Sequence, residues 1–312
     1  MTGTLQVLGF GAIAVDDIIY VDRSLGAGKG RVTARITDHG GNVATALVAV
    51  ARLGGRAGFI GWLNSDPGGD ISAHDLARHH VDISHAPRRP DATAIRSVIT
   101  VGSDGERFIA FDDAVPLGTS AALADDILAQ AQVLLVDGYA TVSHAVVARA
   151  RDLGLAVVGD IEWSVGPATD ALMTLCDHLV LPCRFAMSCT GTTDPAAALA
   201  HLWSADRAAV ILTDGDHGAF VRQRGDTTLW HLPAHQVVAL DTTGAGDCFH
   251  GAYAFALTMG KPLLDCARFA GAAAAVSVMG RGGRLALPDH EACLAMLARS
   301  NAPVPVAIGQ VG

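Results

Sequence analysis

A glycine-rich segment that ends in an acid is the part of the sequence best suited to chemistry. Residues 241–251, here called the anion segment, read DTTGAGDCFHG, with Gly244 and Gly246 one residue apart and Asp247 next. Amides at a helix start point at one spot, with the positive end of the helix dipole behind them, so the glycines predict an anion site. Asp247 would repel that anion unless a hydroxyl lies between them. The carboxylate then takes the hydroxyl proton while the amides stabilise the transferring group. A bare GxGD is equally typical of a glycine turn whose acid suits the dipole, and only the complete string is more specific.

Other motifs of enzyme sites are incomplete or missing. The run GFGAIA that begins at Gly9 fits the G-x-G-x-x-A fingerprint of dinucleotide-binding folds, which requires a helix to begin at the glycines. The β-branched segment Val15–Val21 follows instead, so nicotinamide and flavin binding are not indicated. Gly28–Gly30 lacks the spacing and hydroxyl of a P-loop, and neither HExxH nor GxSxG occurs. His250, three residues after the acid, is interpreted as a residue that packs against the site or supports it, and not as a catalyst.

Predicted strands and helices alternate along most of the chain. The anion segment follows a predicted strand, Val237–Leu240, and leads into an apolar helical run, Phe249–Leu257. Helices are also predicted at Asn42–Leu53 and Asp70–His80. Further strands are predicted at Thr4–Gly9, Arg56–Trp62, Val133–Val136, Ala156–Gly159, His178–Leu181 and Ala208–Leu212. This alternation predicts an α/β fold with a parallel sheet that helices cover on both faces.

Two helix-free stretches interrupt the alternation. They contain four predicted strands, Asp17–Val21, Arg31–Asp38, Ala94–Val101 and Glu106–Phe111, joined by Gly-rich or SDG turns. Such strands predict a small β-sheet lid over one end of the main sheet. No linker divides the chain, so we expect one domain over residues 1–312 with lid insertions at about 15–39 and 92–113. The tail, Asn301–Gly312, is predicted to be poorly ordered.

Composition excludes several classes of function. The 312 residues include 22 Lys or Arg and 31 Asp or Glu, a net charge of −9 that disfavours nucleic acid and anionic membranes as partners. The six cysteines form no CxxC pair, which is typical of a reduced, cytoplasmic protein. The N-terminus lacks the features of a signal peptide, and no apolar run is long enough to span a membrane.

Three motifs carry a resemblance to one family. DTTGAGD followed by F-x-G-A resembles the C-terminal signature of the ribokinase-like, PfkB-type carbohydrate kinases. His39–Asn42 opens a small-residue helix, and with the later segments Ala51–Gly54, Phe59–Gly61 and Asp66–Gly69 it resembles the N-terminal signature. Leu212–Ala219 is similar to the family's T-x-G-x-x-G turn on the nucleotide side. The motifs lie in the family's order, and the resemblance extends over essentially the whole chain.

The resemblance implies a fold and a reaction. The fold is a Rossmann-type three-layer α/β domain with a small β-sheet lid, and the reaction is ATP-dependent phosphorylation of a sugar-like hydroxyl. Asp247 is implied to be the general base, and the anion hole is implied to consist of Gly244, Ala245 and Gly246. The residues implied to hold sugar hydroxyls are Asp16, placed at the end of the first strand, Gly41 and Asn42, whose side chains suit a polyol.

The resemblance also implies nucleotide and cation sites. The nucleotide would border Thr213, Gly215 and Gly218, with the alanine-rich helix around Ala272–Val276 against the adenine. Asp241 and Thr243 occupy positions of a monovalent-cation site, so K⁺ joins ATP and Mg²⁺ as an expected cofactor. Many relatives carry an N-x-x-E motif whose glutamate organises magnesium, but Pro182–Phe185 contains no acid. Glu162 is a candidate replacement and Arg184 a candidate phosphate contact, with a solvated surface as the alternative for both.

The acceptor is less closely defined. Asp265–Ala270 and Gly282–Asp289 resemble the ketose-kinase side of the family, which includes ketohexokinases and sulfofructose kinases. Lys29 in the lid turn is a candidate reader of a substrate anion or a solvated lysine. Phe111 and Tyr139 fall where partners for a sulfonate are expected, so the lining favours a neutral ketose or ribose-like sugar, or a nucleoside.

The same residues leave two alternative functions open and indicate an oligomeric state. A nucleoside kinase of the same fold remains open, as does a non-catalytic sugar or nucleotide sensor that has lost metal organisation at Pro182–Phe185. Because lid sheets have exposed edges, we expect a homodimer through the lid.

Overall fold

The structure is a computed structural model that describes residues 5–26, 28–65 and 70–310. Asp66–Gly69, which contributes to the N-terminal signature, lies outside the described residues. Within the described residues the strands are β1 (Val7–Phe10), β2 (Ala14–Val21), β3 (Val32–Gly40), β4 (Ala57–Phe59), β5 (Leu63–Asn64), β6 (Arg88–Arg89), β7 (Ile95–Val101), β8 (Arg107–Asp112), β9 (Val133–Asp137), β10 (Ala156–Asp160), β11 (His178–Pro182), β12 (Ala209–Thr213), β13 (Ala219–Gln223), β14 (Thr228–Leu232) and β15 (Val306–Gln310).

Helices connect most of these strands. They are α1 (Asn42–Arg52), α2 (Ile71–Arg78), α3 (Asp125–Leu128), α4 (His144–Asp152), α5 (Pro167–Leu175), α6 (Cys183–Thr190), α7 (Pro195–Leu202), α8 (Ala245–Thr258), α9 (Leu263–Ser277) and α10 (His290–Leu297). No helix in the described ranges combines the length and apolarity needed to cross a membrane.

The main sheet has nine strands in the order β15-β14-β13-β12-β11-β10-β9-β1-β4. The six from β4 to β12 run parallel, and β13, β14 and β15 extend the sheet antiparallel. Since parallel strands point the same way, the carboxyl ends of β1, β9, β10, β11 and β12 share one edge. Ligands bind at this edge in open α/β sheets.

Two hydrophobic cores lie on opposite faces of the main sheet. Successive residues of β9 alternate between them, since Val133 and Leu135 belong to one core and Leu134 and Val136 to the other. Helices α1, α2, α8, α9 and α10 contribute to the first core, whereas α3 to α7 contribute to the second. The predicted three-layer α/β fold is therefore confirmed.

The second sheet is the small one predicted from the helix-free stretches. Its strand order is β3-β2-β7-β8, with β2 and β7 parallel and the outer pairs antiparallel. The residues buried on its inner face are Ile18, Tyr20, Ile99 and Val101. We call this sheet the lid.

Two sequence predictions are wrong. Val237–Leu240 is not a strand, because this segment is a loop whose Leu240 amide donates to the carbonyl of Val278 beyond α9. The tail is ordered as far as residue 310, since β15 pairs with β14. An edge strand of this kind has few local sequence signals, because its hydrogen bonds come from a distant partner.

Candidate active site

The anion segment forms a helix start with free amides. Gly244 caps α8 with a φ of 73°, and a Cβ there would lie 3.0 Å from the Cα of Gly283, so the position requires glycine. The Ala245 amide donates to the Thr242 carbonyl at 3.3 Å. In the described part of the chain, no carbonyl accepts from the amides of Gly246 and Asp247. These two amides therefore point from the helix end toward an incoming anion.

Asp247 lies in the first turn of α8, beside two other acids. Burial raises the pKa of Asp247 well above its usual range, and the negative charges of Asp160 and Glu162 raise it further. Asp160 ends β10, and Glu162 is exposed two residues later. Because burial and the nearby Glu162 carboxylate also raise the pKa of Asp160, the three carboxyl groups cannot all ionise freely.

Asn42 connects the acids to the predicted sugar-binding motif. Its Nδ2 donates to Asp160 Oδ2 and to Glu162 Oε1, each at 3.2 Å. The preceding residue, Gly41, has a φ of 91°, and a Cβ there would lie 2.5 Å from the Ala12 carbonyl oxygen. The motif thus brings the start of α1 against the acids at the end of β10.

Asp16 lies in the lid. It is the third residue of β2 and not the end of the first strand, as the sequence prediction had it. Burial raises the pKa of Asp16 to about 6, although a hydrogen bond from Ser97 lowers it in part. Gly40 is adjacent, since a Cβ there would lie 2.0 Å from Asp16 Oδ2. A buried carboxylate at this place can accept from hydroxyls of a bound molecule.

Asp137 belongs to the same edge, and sequence reasoning missed it. It ends β9, is fully buried, and accepts from the amides of Ala12 at 2.6 Å and Tyr139 at 3.0 Å. Burial raises its pKa to about 7. An acid directly after the predicted strand Val133–Val136 was the available signal.

His250 supports the first turn of α8. Its ring is buried, with Nδ1 2.8 Å from the Gly246 carbonyl and Nε2 3.2 Å from the Val180 carbonyl. These two contacts connect the start of α8 to β11.

A cavity of about 350 Å³ lies between the anion segment and α9. The lining residues include Thr213, Gly215 and Gly218, as well as Ala245 and Gly246. Ala272 does not line the cavity, which corrects the sequence prediction: it is fully buried in a cluster with Met296. The residues of α9 that line the cavity are Ala267, Arg268, Gly271, Ala274 and Ala275. The cavity is mainly apolar and has the anion-binding helix start at its edge.

Arg107 is a second residue that sequence reasoning missed. It begins β8 in the lid, lines the cavity, and donates from Nη1 to Thr242 Oγ1 at 2.7 Å. The sequence predicted the strand but gave no signal of a partner 135 residues away.

Asp241 and Thr243 differ in the hydrogen bonds that their side chains form. Asp241 is buried, with Oδ2 accepting from the Tyr20 hydroxyl at 2.5 Å and from the Gly282 amide at 3.0 Å. Its Oδ1 accepts from the Thr243 amide at 2.9 Å. The buried Oγ1 of Thr243 has no hydrogen-bond partner among the described residues.

Two candidate residues lie on exposed surface. Lys29 is in the turn between β2 and β3, beyond Val21, which is itself about 17 Å along the strand from Asp16. The role of Lys29 as a reader of a substrate anion stays a prediction. Arg184 is exposed in the first turn of α6, directly after β11.

A mainly apolar cavity, a helix start with free amides and an adjacent acid together define a site for transfer of a phosphoryl group from a nucleotide. Comparisons agree with this class. The model of the pfkB family carbohydrate kinases matches residues 5–290.

Similar proteins include a ribokinase of Haemophilus influenzae, 28% identical, over 95% of this chain and 99% of that relative. A fructokinase of Klebsiella pneumoniae is 30% identical, over 80% of this chain and 82% of the relative. The structure of Arabidopsis thaliana ribokinase complexed with ribose and ATP has a TM-score of 0.78 and 25% identity, covering 96% of this chain and all of that one. The chain belongs to the pfkB family of carbohydrate kinases and is an ATP-dependent sugar kinase.

Proposed function

We propose that the chain transfers the γ-phosphoryl group of ATP to a hydroxyl of a neutral ketose or ribose-like sugar, with Asp247 as general base. The observation that carries this proposal is the position of Asp247 beside the free amides of α8. The hydroxyl proton passes to the carboxylate, a bond forms between the sugar oxygen and the γ-phosphorus, and the bond to the β-phosphate oxygen breaks. The amides of Gly246 and Asp247 stabilise charge on the transferring group.

Lid and edge residues hold the acceptor. Asp16 and Asn42 offer a carboxylate and an amide that suit adjacent hydroxyls, and Gly41 lets the backbone approach. The relatives named ribokinase and fructokinase support a ribose-like sugar or a ketose as the acceptor. Phe111 shares the inner face of the lid with Asp16, because both flank Ser97 across the strands. An apolar ring there disfavours a charged group on the sugar.

A nucleoside is the second candidate acceptor. The rings of Tyr139 and Trp163 meet edge to face with centroids 4.8 Å apart, and Trp163 follows Glu162, which contacts Asn42. Aromatic rings at this place offer a stacking surface for a base.

Mg²⁺ fits the acids at the end of β10. Asp160 and Glu162 offer the hard oxygen donors that this ion prefers, and a cation would relieve the repulsion that raises the pKa of Asp160. Among the described residues, no group of three or more His, Cys, Asp or Glu could hold a metal. In this proposal the ion is bound mainly by phosphates and water, with Glu162 in its outer shell. When bound, Mg²⁺ neutralises charge on the phosphates.

A monovalent cation such as K⁺ fits beside Asp241. The Oγ1 of Thr243 has no hydrogen-bond partner among the described residues, so it can act as a cation ligand. The Asp241 carboxylate beside it supplies negative charge. Neither residue touches the reacting atoms in this proposal. The cation would hold the anion segment in place.

The outer face of the lid supports a homodimer. Val98 and Phe108 lie on this face with 47% and 66% of their surface exposed. An exposed apolar face on a sheet with a free edge is suited to a second copy of the chain.

All six cysteines are unpaired, which supports a reducing compartment such as the cytoplasm.

The test is ADP formation from Mg-ATP across neutral ketoses, aldoses, a sulfonated sugar and nucleosides, each with and without K⁺. We expect one neutral sugar to give turnover well above the rate without acceptor. Preference for a nucleoside would favour the second candidate, and preference for the sulfonated sugar would contradict a neutral acceptor. ATP binding without turnover on any acceptor would indicate a sensor.

A further inference from the structure

Arg107 is a cation of the lid that lines the cavity. Its described hydrogen bond goes to the neutral hydroxyl of Thr242, and none of the described carboxylates forms an ion pair with it. Arg268, which also lines the cavity, is paired with Asp265 at 3.2 Å. A guanidinium has five N–H donors in a planar fork. The remaining donors of Arg107 are therefore available at the cavity.

The position of Arg107 is fixed by the lid on one side and the anion segment on the other. The Thr242 hydroxyl donates to the Gly105 carbonyl at 3.1 Å and accepts from Arg107, so one hydroxyl joins both lid residues. Thr242 also directly precedes the turn into α8. The guanidinium thus lies at the cavity edge next to the free amides, and its positive charge lowers the pKa of Asp247 in part.

We propose that Arg107 is a catalytic residue that contacts the transferring phosphoryl group of the nucleotide. This inference rests on the proposed function. As the bond to the β-phosphate oxygen breaks and the bond to the sugar oxygen forms, charge spreads over the phosphoryl oxygens. Arg107 donates hydrogen bonds to those oxygens and stays protonated, while the hydroxyl proton goes to Asp247.

The lid connects this contact to acceptor binding. Arg107 and Asp16 lie on the same inner face of one hydrogen-bonded sheet, with β7 between their strands. A sugar bound at Asp16 therefore holds the element that carries Arg107. Phosphoryl transfer then depends on a lid placed by the acceptor, which limits transfer to water.

The experiment compares Arg107→Ala and Arg107→Lys with a control, Arg52→Ala. Arg52 is exposed at the end of α1, outside the lid and the cavity. For the acceptor identified in the panel, we expect Arg107→Ala to lower kcat by about 10²- to 10³-fold and to change the acceptor KM less than about threefold. Arg107→Lys should restore part of the rate, because it restores the charge without the fork. Arg52→Ala should match the wild type.

Nucleotide binding gives a second readout that needs no turnover. We expect Arg107→Ala to weaken binding of a non-hydrolysable Mg-ATP analogue by about tenfold and to leave adenosine binding unchanged. Wild-type kcat together with unchanged analogue affinity in Arg107→Ala would overturn the inference and leave the kinase function standing. An inactive wild type would instead count against the proposed function, and the binding comparison would still decide the role of Arg107.

Discussion

At the scale of residues, the site depends on carboxyl groups that crowd one another. Asp247 must be ionised to accept a proton, but burial and the charges of Asp160 and Glu162 hold its pKa well above the usual range. A general base is most effective when its pKa approaches the working pH. The neighbouring carboxylates therefore bring the pKa of Asp247 closer to the working pH.

The first prediction concerns the pH dependence of the reaction. Because the pKa of Asp247 is raised, kcat/KM should rise with pH through a limb above the ordinary aspartate range near 3.9. Glu162→Gln removes one negative charge, which lowers the pKa of Asp247 and shifts the limb to lower pH. Glu291→Gln, at the exposed start of α10, is the control and should leave the limb in place. An unshifted limb in Glu162→Gln would contradict this electrostatic account.

At the scale of elements, the turn into α8 determines where the free amides point. Gly244 combines a left-handed conformation with close contact to Gly283. A side chain would disturb both the turn and the loop against it. The geometry of the anion site thus depends on Gly244 and on its contact with Gly283.

The second prediction compares Gly244→Ala with Gly191→Ala. Both glycines have positive φ, 73° and 67°, but a Cβ at Gly191 meets nothing within 4 Å. Each variant should lose about 1–2 kcal/mol of stability from backbone strain. Gly244→Ala should also lose most of its kcat, whereas Gly191→Ala should keep it, as measured by thermal unfolding and the ADP assay. Equal kcat in the two variants would contradict a special role of the turn.

Sequence predicted the elements better than the contacts between them. The anion turn and α8 were predictable because glycine spacing and helix start are local signals. Arg107 and Asp137 were missed as site residues because their roles depend on Thr242 and Ala12, more than 100 residues away in the chain. Ala272 was misplaced because a helix of small apolar residues does not indicate which face meets a ligand.

At the scale of the whole molecule, the ionisation of buried carboxyl groups affects stability. Asp16, Asp137 and Asp160 all have raised pKa values, mainly through burial. A carboxyl with a raised pKa binds its proton more tightly when folded. Its contribution to stability is therefore present below the unfolded pKa and lost as pH rises through the folded one.

The third prediction follows from this loss of stability as pH rises. Asp160→Asn removes a carboxyl that is costly to ionise, so the unliganded variant should unfold at least about 2 °C above the wild type at pH 8. At pH 5 the difference should shrink, because Asp160 is protonated in the folded wild type. Asp152→Asn, exposed at the end of α4, is the control for calorimetry at both pH values. A difference that does not grow with pH would contradict the raised pKa.

The fourth prediction concerns the homodimer that we propose to form through the lid. Phe108→Asp places a charge on the exposed outer face of the lid and should convert the protein from dimer to monomer in sedimentation experiments. Leu294→Asp, on the exposed side of α10, should leave the dimer intact. A wild type that sediments as a monomer would contradict the lid interface.

The role of Asp247 as general base is the central claim, and Asp247→Asn tests it most directly. The amide keeps the size of the side chain but cannot take the hydroxyl proton, so kcat on the identified acceptor should fall by about 10²- to 10⁴-fold. Binding of Mg-ATP should persist, because the amides of α8 and the cavity remain. Wild-type kcat in Asp247→Asn would contradict the account.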